Sequence, residues 1–301
     1  MNKGICFHFG YVYKSKKQQV KEIKAAGLNC VMDTADSKFK FQNGGFAKRI
    51  KLFKKFGLQL SSLHSKYVRD ELPYFWKEGK VGNKIEKNLI KDVITAYKYG
   101  FTCVVVHLKG EASQIGFCRL RRILNVCEKL NMPLALENLS NNSKLLENTF
   151  ANVKSEYLKF CWDVGHNHCF TPNIDFMSLY SDKLIALHLH DNLGYGVSDE
   201  QYKKIGYTHN FPIQEGRNFN PDMHTLNKYG TIDWQQVAQK LAKINRPLNL
   251  DFEVLMCYRK KETPQQVLAE VYKQACKLEK LIEKYKKQQR GELNATNNNR
   301  H

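Results

Sequence analysis

Residues that bind divalent cations recur at the ends of short apolar runs. His64 closes Leu-Ser-Ser-Leu-His, His107 closes Val-Val-Val-His, and Glu137 stands in Leu-Ala-Leu-Glu-Asn. Asp163 and His166 share Cys-Trp-Asp-Val-Gly-His. His188, His190 and Asp191 share Leu-His-Leu-His-Asp-Asn, and Glu253 sits in Leu-Asp-Phe-Glu-Val. A carboxylate flanked by Leu134, Ala135 and Leu136 is costly to bury unpaired, so Glu137 needs a cation or a dense set of hydrogen-bond partners. Mixed imidazole and carboxylate donors suit Zn²⁺ or Mn²⁺, and are compatible with Mg²⁺ or Co²⁺. Glu137, Asp163, His188 and Glu253 are therefore expected, as a set, to hold a divalent metal. A lone His at a strand end is more often a hydrogen-bonded rim residue, so His64 and His107 are additional metal or substrate candidates. His166, His190, Asp222 and His224 join them. His188 and His190 lie two apart in a strand and point to one side, so either can reach an ion. Asp191 is read as a supporting residue. Asp222-Met223-His224 can chelate a further ion beside His166, or form a polar loop turn.

These positions need elements that bring their ends together. The sequence alternates β-branched or aromatic runs with stretches of helical periodicity. Candidate strands are Ile5–His8, Cys30–Asp33, Gln59–His64, Cys103–His107, Leu134–Glu137, Phe160–Asp163, Leu184–His190 and Asn249–Glu253. Helical segments such as Ser15–Ala26, Phe46–Phe56, Lys84–Tyr99 and Phe117–Leu130 separate them. This alternation predicts an α/β fold, a single-domain (β/α)8 TIM barrel, whose strand ends converge on the carboxyl-terminal face. The barrel with its last helix, opening at Thr263-Pro264, is expected over residues 1–287, and 288–301 is expected to be a disordered polar tail. Leu193 to Pro221 is a long connection without clear periodicity.

Composition sets outer limits. The 301 residues, 42% hydrophobic, suffice for one large core. Apolar runs fall short of the roughly eighteen residues of a membrane helix, and the amino terminus lacks a signal-peptide pattern. Nine scattered cysteines without a CxxC pair argue against a disulfide scaffold or zinc ribbon, and for reduced thiols in a cytoplasmic protein with no membrane partner. A GxGxxG turn and a P-loop are both missing, so no nucleotide cofactor is expected. The net charge of +19 reads as a Lys-rich solvated surface, or as attraction to a sugar phosphate or a nucleic-acid backbone.

Asp-Val-Gly-His (163–166), His-Leu-His-Asp-Asn (188–192), Asp-x-His (222–224) and Gly-Thr-Ile-Asp-Trp (230–234) resemble, in order and context, the motifs of the xylose isomerase-like barrels. That superfamily holds sugar-phosphate isomerases and epimerases together with endonuclease IV-type apurinic-site nucleases. The isomerase branch implies one ion on Glu137, Asp163, His188 and Glu253, with Glu137 and Glu253 transferring a proton through an enediolate, and His166 on a substrate oxygen. The partner would then be a small sugar or sugar phosphate. The nuclease branch implies three zinc ions on His64, His107, Glu137, Asp163, His166, His188, Asp222, His224 and Glu253. In that case the partner would be nucleic acid. His-Leu-His-Asp-Asn and Gly-Thr-Ile-Asp-Trp resemble the isomerase branch more closely. Two departures stand out. The connection from Asn192 to Asp222 is long and carries Tyr195, Tyr202, Tyr207, His209 and Arg217. Lys228-Tyr229-Gly230 replaces the common Gly-Glu-Gly. Lys66, Lys109 and Arg217 are the candidate substrate contacts.

Overall fold

The computed structural model describes residues 1–9, 13, 15–35, 45–207, 221–255 and 262–298, with side chains given up to 291. The strands are β1 (Asn2–Cys6), β2 (Cys30–Thr34), β3 (Gln59–His64), β4 (Cys103–Val106), β5 (Leu134–Glu137), β6 (Leu158–Asp163), β7 (Leu184–His188) and β8 (Asn249–Phe252). They pair in the order β7-β6-β5-β4-β3-β2-β1-β8, parallel throughout. Parallel neighbours need crossovers, and helices supply them. The two outer strands meet through Leu189: its N–H donates to the Asp251 carbonyl at 2.9 Å, and the Glu253 N–H donates back to the Leu189 carbonyl at 2.9 Å. This bridge closes the (β/α)8 barrel and fixes His188 beside Glu253. All eight expected strands are present, with ends shifted by a few residues.

The barrel interior is built from small side chains. Cys103, Val105, Ala135, Cys161 and Ala186 form one buried cluster, while Val104, Val106, Leu134, Leu136, Phe160 and Leu187 join the larger core under the helices. Side chains alternate along a strand, so the parity that sends Ala135, Cys161 and Ala186 inward also sends Glu137, Asp163 and His188 inward. Small residues low in the barrel thus leave the wide mouth to the polar ones.

Two peripheral elements complete the description. The last helix spans Pro264–Asn298, and Gln288, Gln289 and Arg290, which follow Lys287, are good helix formers. The connection from Leu193 contains a helix, Asp199–Lys204, started by a capping box between Ser198 and Gln201. Tyr202 from that helix is fully buried. Its hydroxyl donates to the Pro221 carbonyl at 2.7 Å and accepts from the Leu193 N–H at 2.8 Å. Arg217 and His209 lie outside the described residues.

Candidate metal centre

The expected donors gather at the carboxyl-terminal mouth in three adjoining groups: His64, His107 and Glu137; Glu137, Asp163, His188 and Glu253; and His166, His190, Asp222 and His224. Within each group the donor atoms lie within 4.8 Å of one another. Glu137 joins the first two, its Oε2 lying 3.0 Å from His107 Nε2, 3.4 Å from His64 Nε2 and 3.2 Å from His188 Nδ1. Asp163 faces both the second and the third, through His188 Nδ1 at 3.9 Å and His190 Nε2 at 3.0 Å. Asp222 Oδ2 lies 3.0 Å from His166 Nε2 and 3.1 Å from His224 Nε2.

Backbone carbonyls fix three of the rings. Nδ1 donates from His64 to Ser65 O at 2.8 Å, from His166 to Asn138 O at 2.9 Å, and from His224 to Glu253 O at 2.7 Å. In the neutral ring each Nε2 then carries a lone pair turned into the centre, the arrangement in which histidines ligate metals. His64 Nε2 and His107 Nε2 face each other at 3.1 Å, and both face the Glu137 carboxylate. Two nitrogens and an anionic oxygen at that spacing call for a positive charge between them.

Electrostatics point the same way. Burial raises the Glu137 carboxyl, but the His107 and His188 imidazoles outweigh it and hold Glu137 well below the usual carboxylate range. Glu253 is depressed against burial by His188 and His224, and Asp222 by His224 and His166. Conversely, burial opposes charging His224, yet Asp222 lifts it to about 9, and Asp163 and Asp222 lift His166 well above its ordinary value. Desolvation lowers His107, leaving it neutral and ready to donate. The anionic cluster draws protons onto its rings, as it would draw a divalent cation. Among the described residues, both ring nitrogens of His188 and Glu137 Oε1 are buried without a hydrogen-bond partner. A divalent ion fits this donor set, and Glu137, Asp163, His188 and Glu253 would hold it.

Each supporting residue has a physical task. Asp163 caps the helix Val164–Phe170, accepting from the His166 N–H at 2.6 Å, so the strand-to-helix turn sets His166 one turn beyond it. Asn138, not singled out from the sequence, locks β5 to β6: its side chain donates to Asp163 O and accepts from Asp163 N, both at 2.8 Å. An Asn directly after a strand-end Glu was the available signal. His188 and His190 divide the work, the first facing Glu137 and Glu253, the second Asp163. His190 stacks on His224 at 3.8 Å between centroids. Asp191 is structural: it accepts from Trp234 Nε1 at 2.7 Å and Ile232 N at 3.1 Å, tying the Gly-Thr-Ile-Asp-Trp segment to β7. Gly230 alone supplies the close approach there, since a Cβ would fall 1.8 Å from Asp191 Oδ1. The missing first glycine of the common pattern is replaced by a 3-10 turn over Asn227–Tyr229.

Of the expected substrate contacts, Lys66 lines a recess beside His107, and Lys109 Nζ donates to Ser140 Oγ at 3.2 Å. At the ends of β1 and β2 a further polar group went unnoticed in the sequence. Arg49 Nε pairs with buried Asp33 at 2.9 Å, and His8 Nε2 lies 3.3 Å from the same carboxylate.

The family model described as xylose isomerase-like TIM barrel matches residues 20–256. The chain belongs to this family. Among solved structures, a D-tagatose 3-epimerase-like protein is 16% identical with a TM-score of 0.65, over 94% of this chain and 99% of that one. The 3-keto-D-glucoside 4-epimerase of E. coli is 12% identical with a TM-score of 0.64, over 92% and 100%. A xylose isomerase-like TIM barrel protein from Mycobacterium smegmatis, in complex with magnesium, is 11% identical with a TM-score of 0.62, over 95% and 97%. At these identities the likeness is one of fold. An uncharacterized protein, y4fM, of Sinorhizobium fredii is 26% identical over 136 residues, 43% of this chain, and the match spans about a third (36%) of that relative. Among the described residues no helix is long and apolar enough to cross a membrane.

Proposed function

We propose that the protein is a divalent-metal-dependent isomerase or epimerase of a sugar or sugar phosphate. The observation that carries this reading is the placement of two carboxylates about one cation position: Glu137 Oε2 and Glu253 Oε2 each lie 3.2 Å from His188 Nδ1. A divalent ion there supplies Lewis acidity, polarising a carbonyl or phosphoryl oxygen. Glu137 and Glu253 are held ionised, and an ionised carboxylate can take a proton from the carbon beside a carbonyl and return it, passing through an enediolate. His166, anchored through Nδ1 to Asn138 O, would turn Nε2 from Asp222 Oδ2 to a substrate oxygen. The family and the fold likeness to epimerases support the reading. Incubation with candidate ketoses in deuterated water, followed by NMR, tests it. Metal-dependent exchange at a carbon next to the carbonyl is expected, and its absence across metals and sugars would overturn it.

A second reading has its own support. All nine positions matching the nuclease branch lie in three adjoining donor groups, with His190 as a tenth member; Glu137 belongs to two of them and Asp163 lies 3.0 Å from His190 of the third. That arrangement favours a zinc-dependent apurinic-site endonuclease. Close to three zinc ions per chain and incision of an abasic oligonucleotide would establish it, and one ion with no incision would remove it.

A further inference from the structure

The group that holds Glu137 and His188 extends one step deeper into the barrel. Parallel pairing sets Glu137 beside Cys161 and Cys161 beside Ala186, while Asp163 and His188 pair two residues further along the same strands. Cys161 and Asp163 have the same parity on β6, so both side chains point inward. The Cys161 sulfur, one oxygen of Glu137 and one ring nitrogen of His188 all lie within 4.8 Å of one another. That is the spacing found among the donors at the mouth. Among the described residues, no other cysteine joins such a group. Cys103 shares the small-residue cluster of Cys161 but not its donors, and Cys30 donates to Asp251 at 3.5 Å.

The surroundings of the sulfur point to an ion independently of the cysteine itself. Cys161 and His188 are fully buried, and Glu137 is 1% exposed. Buried polar atoms normally find a hydrogen-bond partner. Yet among the described residues both ring nitrogens of His188 and Glu137 Oε1 have none. Ala135 and Ala186, which pack in the same cluster as Cys161, bring no polar side-chain atom to satisfy them. Zinc binds sulfur at about 2.3 Å and nitrogen or oxygen at about 2.0 Å, so donors gathered on this scale can share one ion.

We propose that Cys161 binds the ion directly, through a metal–sulfur bond beside Glu137 and His188, and that the centre therefore selects a thiophilic divalent ion of the zinc class over Mn²⁺ or Mg²⁺. This rests on the reading of the mouth as a divalent-metal centre. A thiol that coordinates such an ion is deprotonated outright. Its proton leaves to solvent, a sulfur electron pair is shared with the ion, and no oxidation state changes. Soft sulfur donors favour zinc, whereas carboxylates alone suit magnesium and manganese.

Cobalt(II) is the probe, because thiolate bound to it gives an intense near-ultraviolet charge-transfer band that imidazole and carboxylate do not. The metal-stripped full chain is loaded with Co²⁺, and absorption is read together with cobalt content by mass spectrometry for wild type, C161S and C103S. Wild type and C103S should show the band. C161S should lose it while keeping cobalt on the carboxylates and His188. In competition, the preference for Zn²⁺ over Mn²⁺ should fall at least about tenfold in C161S and less than about threefold in C103S. Cobalt held by wild type without the band, or a band that survives in C161S, would overturn the proposal and leave the metal centre standing. The wild-type spectrum needs no variant, so it decides even where C161S fails to fold. No uptake of cobalt at all would sink the metal centre itself, and this proposal with it.

Discussion

Glu137 Oε2 lies 3.0 Å from His107 Nε2, and the same oxygen faces His64 and His188. A single carboxylate therefore belongs to two donor groups. Glu137→Gln keeps the shape and removes the charge. It should lower the metal content at both positions and cut turnover at least about a thousandfold, since it takes away a ligand and a proton-transfer group together. Asp222→Asn should lower metal content only at the third group. Metal counts on the two variants, prepared side by side, check this. Equal losses in both would mean that the groups do not fill independently.

Metal removal should also register in stability. An ion that binds the folded chain and not the unfolded one stabilises by about 3 kcal/mol at a hundredfold excess over its dissociation constant. Chelator treatment should lower the melting temperature by several degrees, and stoichiometric Zn²⁺ or Mn²⁺ should restore it. An unchanged melting curve with metal demonstrably removed would count against a built centre.

Gly165 is set by space. A Cβ there would fall 1.9 Å from His190 Cε1, so Gly165→Ala must push His190 off its stack with His224. Overpacking of this kind costs about 1–3 kcal/mol, and here it should also weaken metal at the third group. Denaturant unfolding paired with a metal titration checks it. Wild-type stability in the variant would show that the helix Val164–Phe170 shifts to absorb the methyl.

Asp92 gives a pH dependence with a definite sign. Burial raises its carboxyl to about 6, against the opposing hydrogen bond from Ser65. A folded-state value above the unfolded one means stability that is full below pH 4 and declines as pH rises through 6. Asp92→Asn abolishes that decline. The variant should match wild type near pH 4 and exceed it above pH 7 by on the order of 2 kcal/mol. Urea midpoints across that range provide the measurement, and a variant less stable at pH 8 would show that the charged form is favoured in the fold.

The sequence by itself determined the alternation of strands and helices, and which residue ends each run, because burial enforces a period of two along a strand and polar residues break it. Glu137, Asp163, His188 and Glu253 were legible for that reason as polar residues at strand ends. Local chemistry also carried the Ser198–Gln201 capping box, although the surrounding connection reads as irregular. Only the tertiary structure decided which side chains adjoin one another. Barrel closure at Leu189 puts His188 beside Glu253, far apart in sequence, and carbonyls from other segments choose the tautomers of His166 and His224. His188 and His190, equivalent by parity, are separated by their neighbours: the first meets the carboxylates of β5 and of the segment after β8, the second meets Asp163.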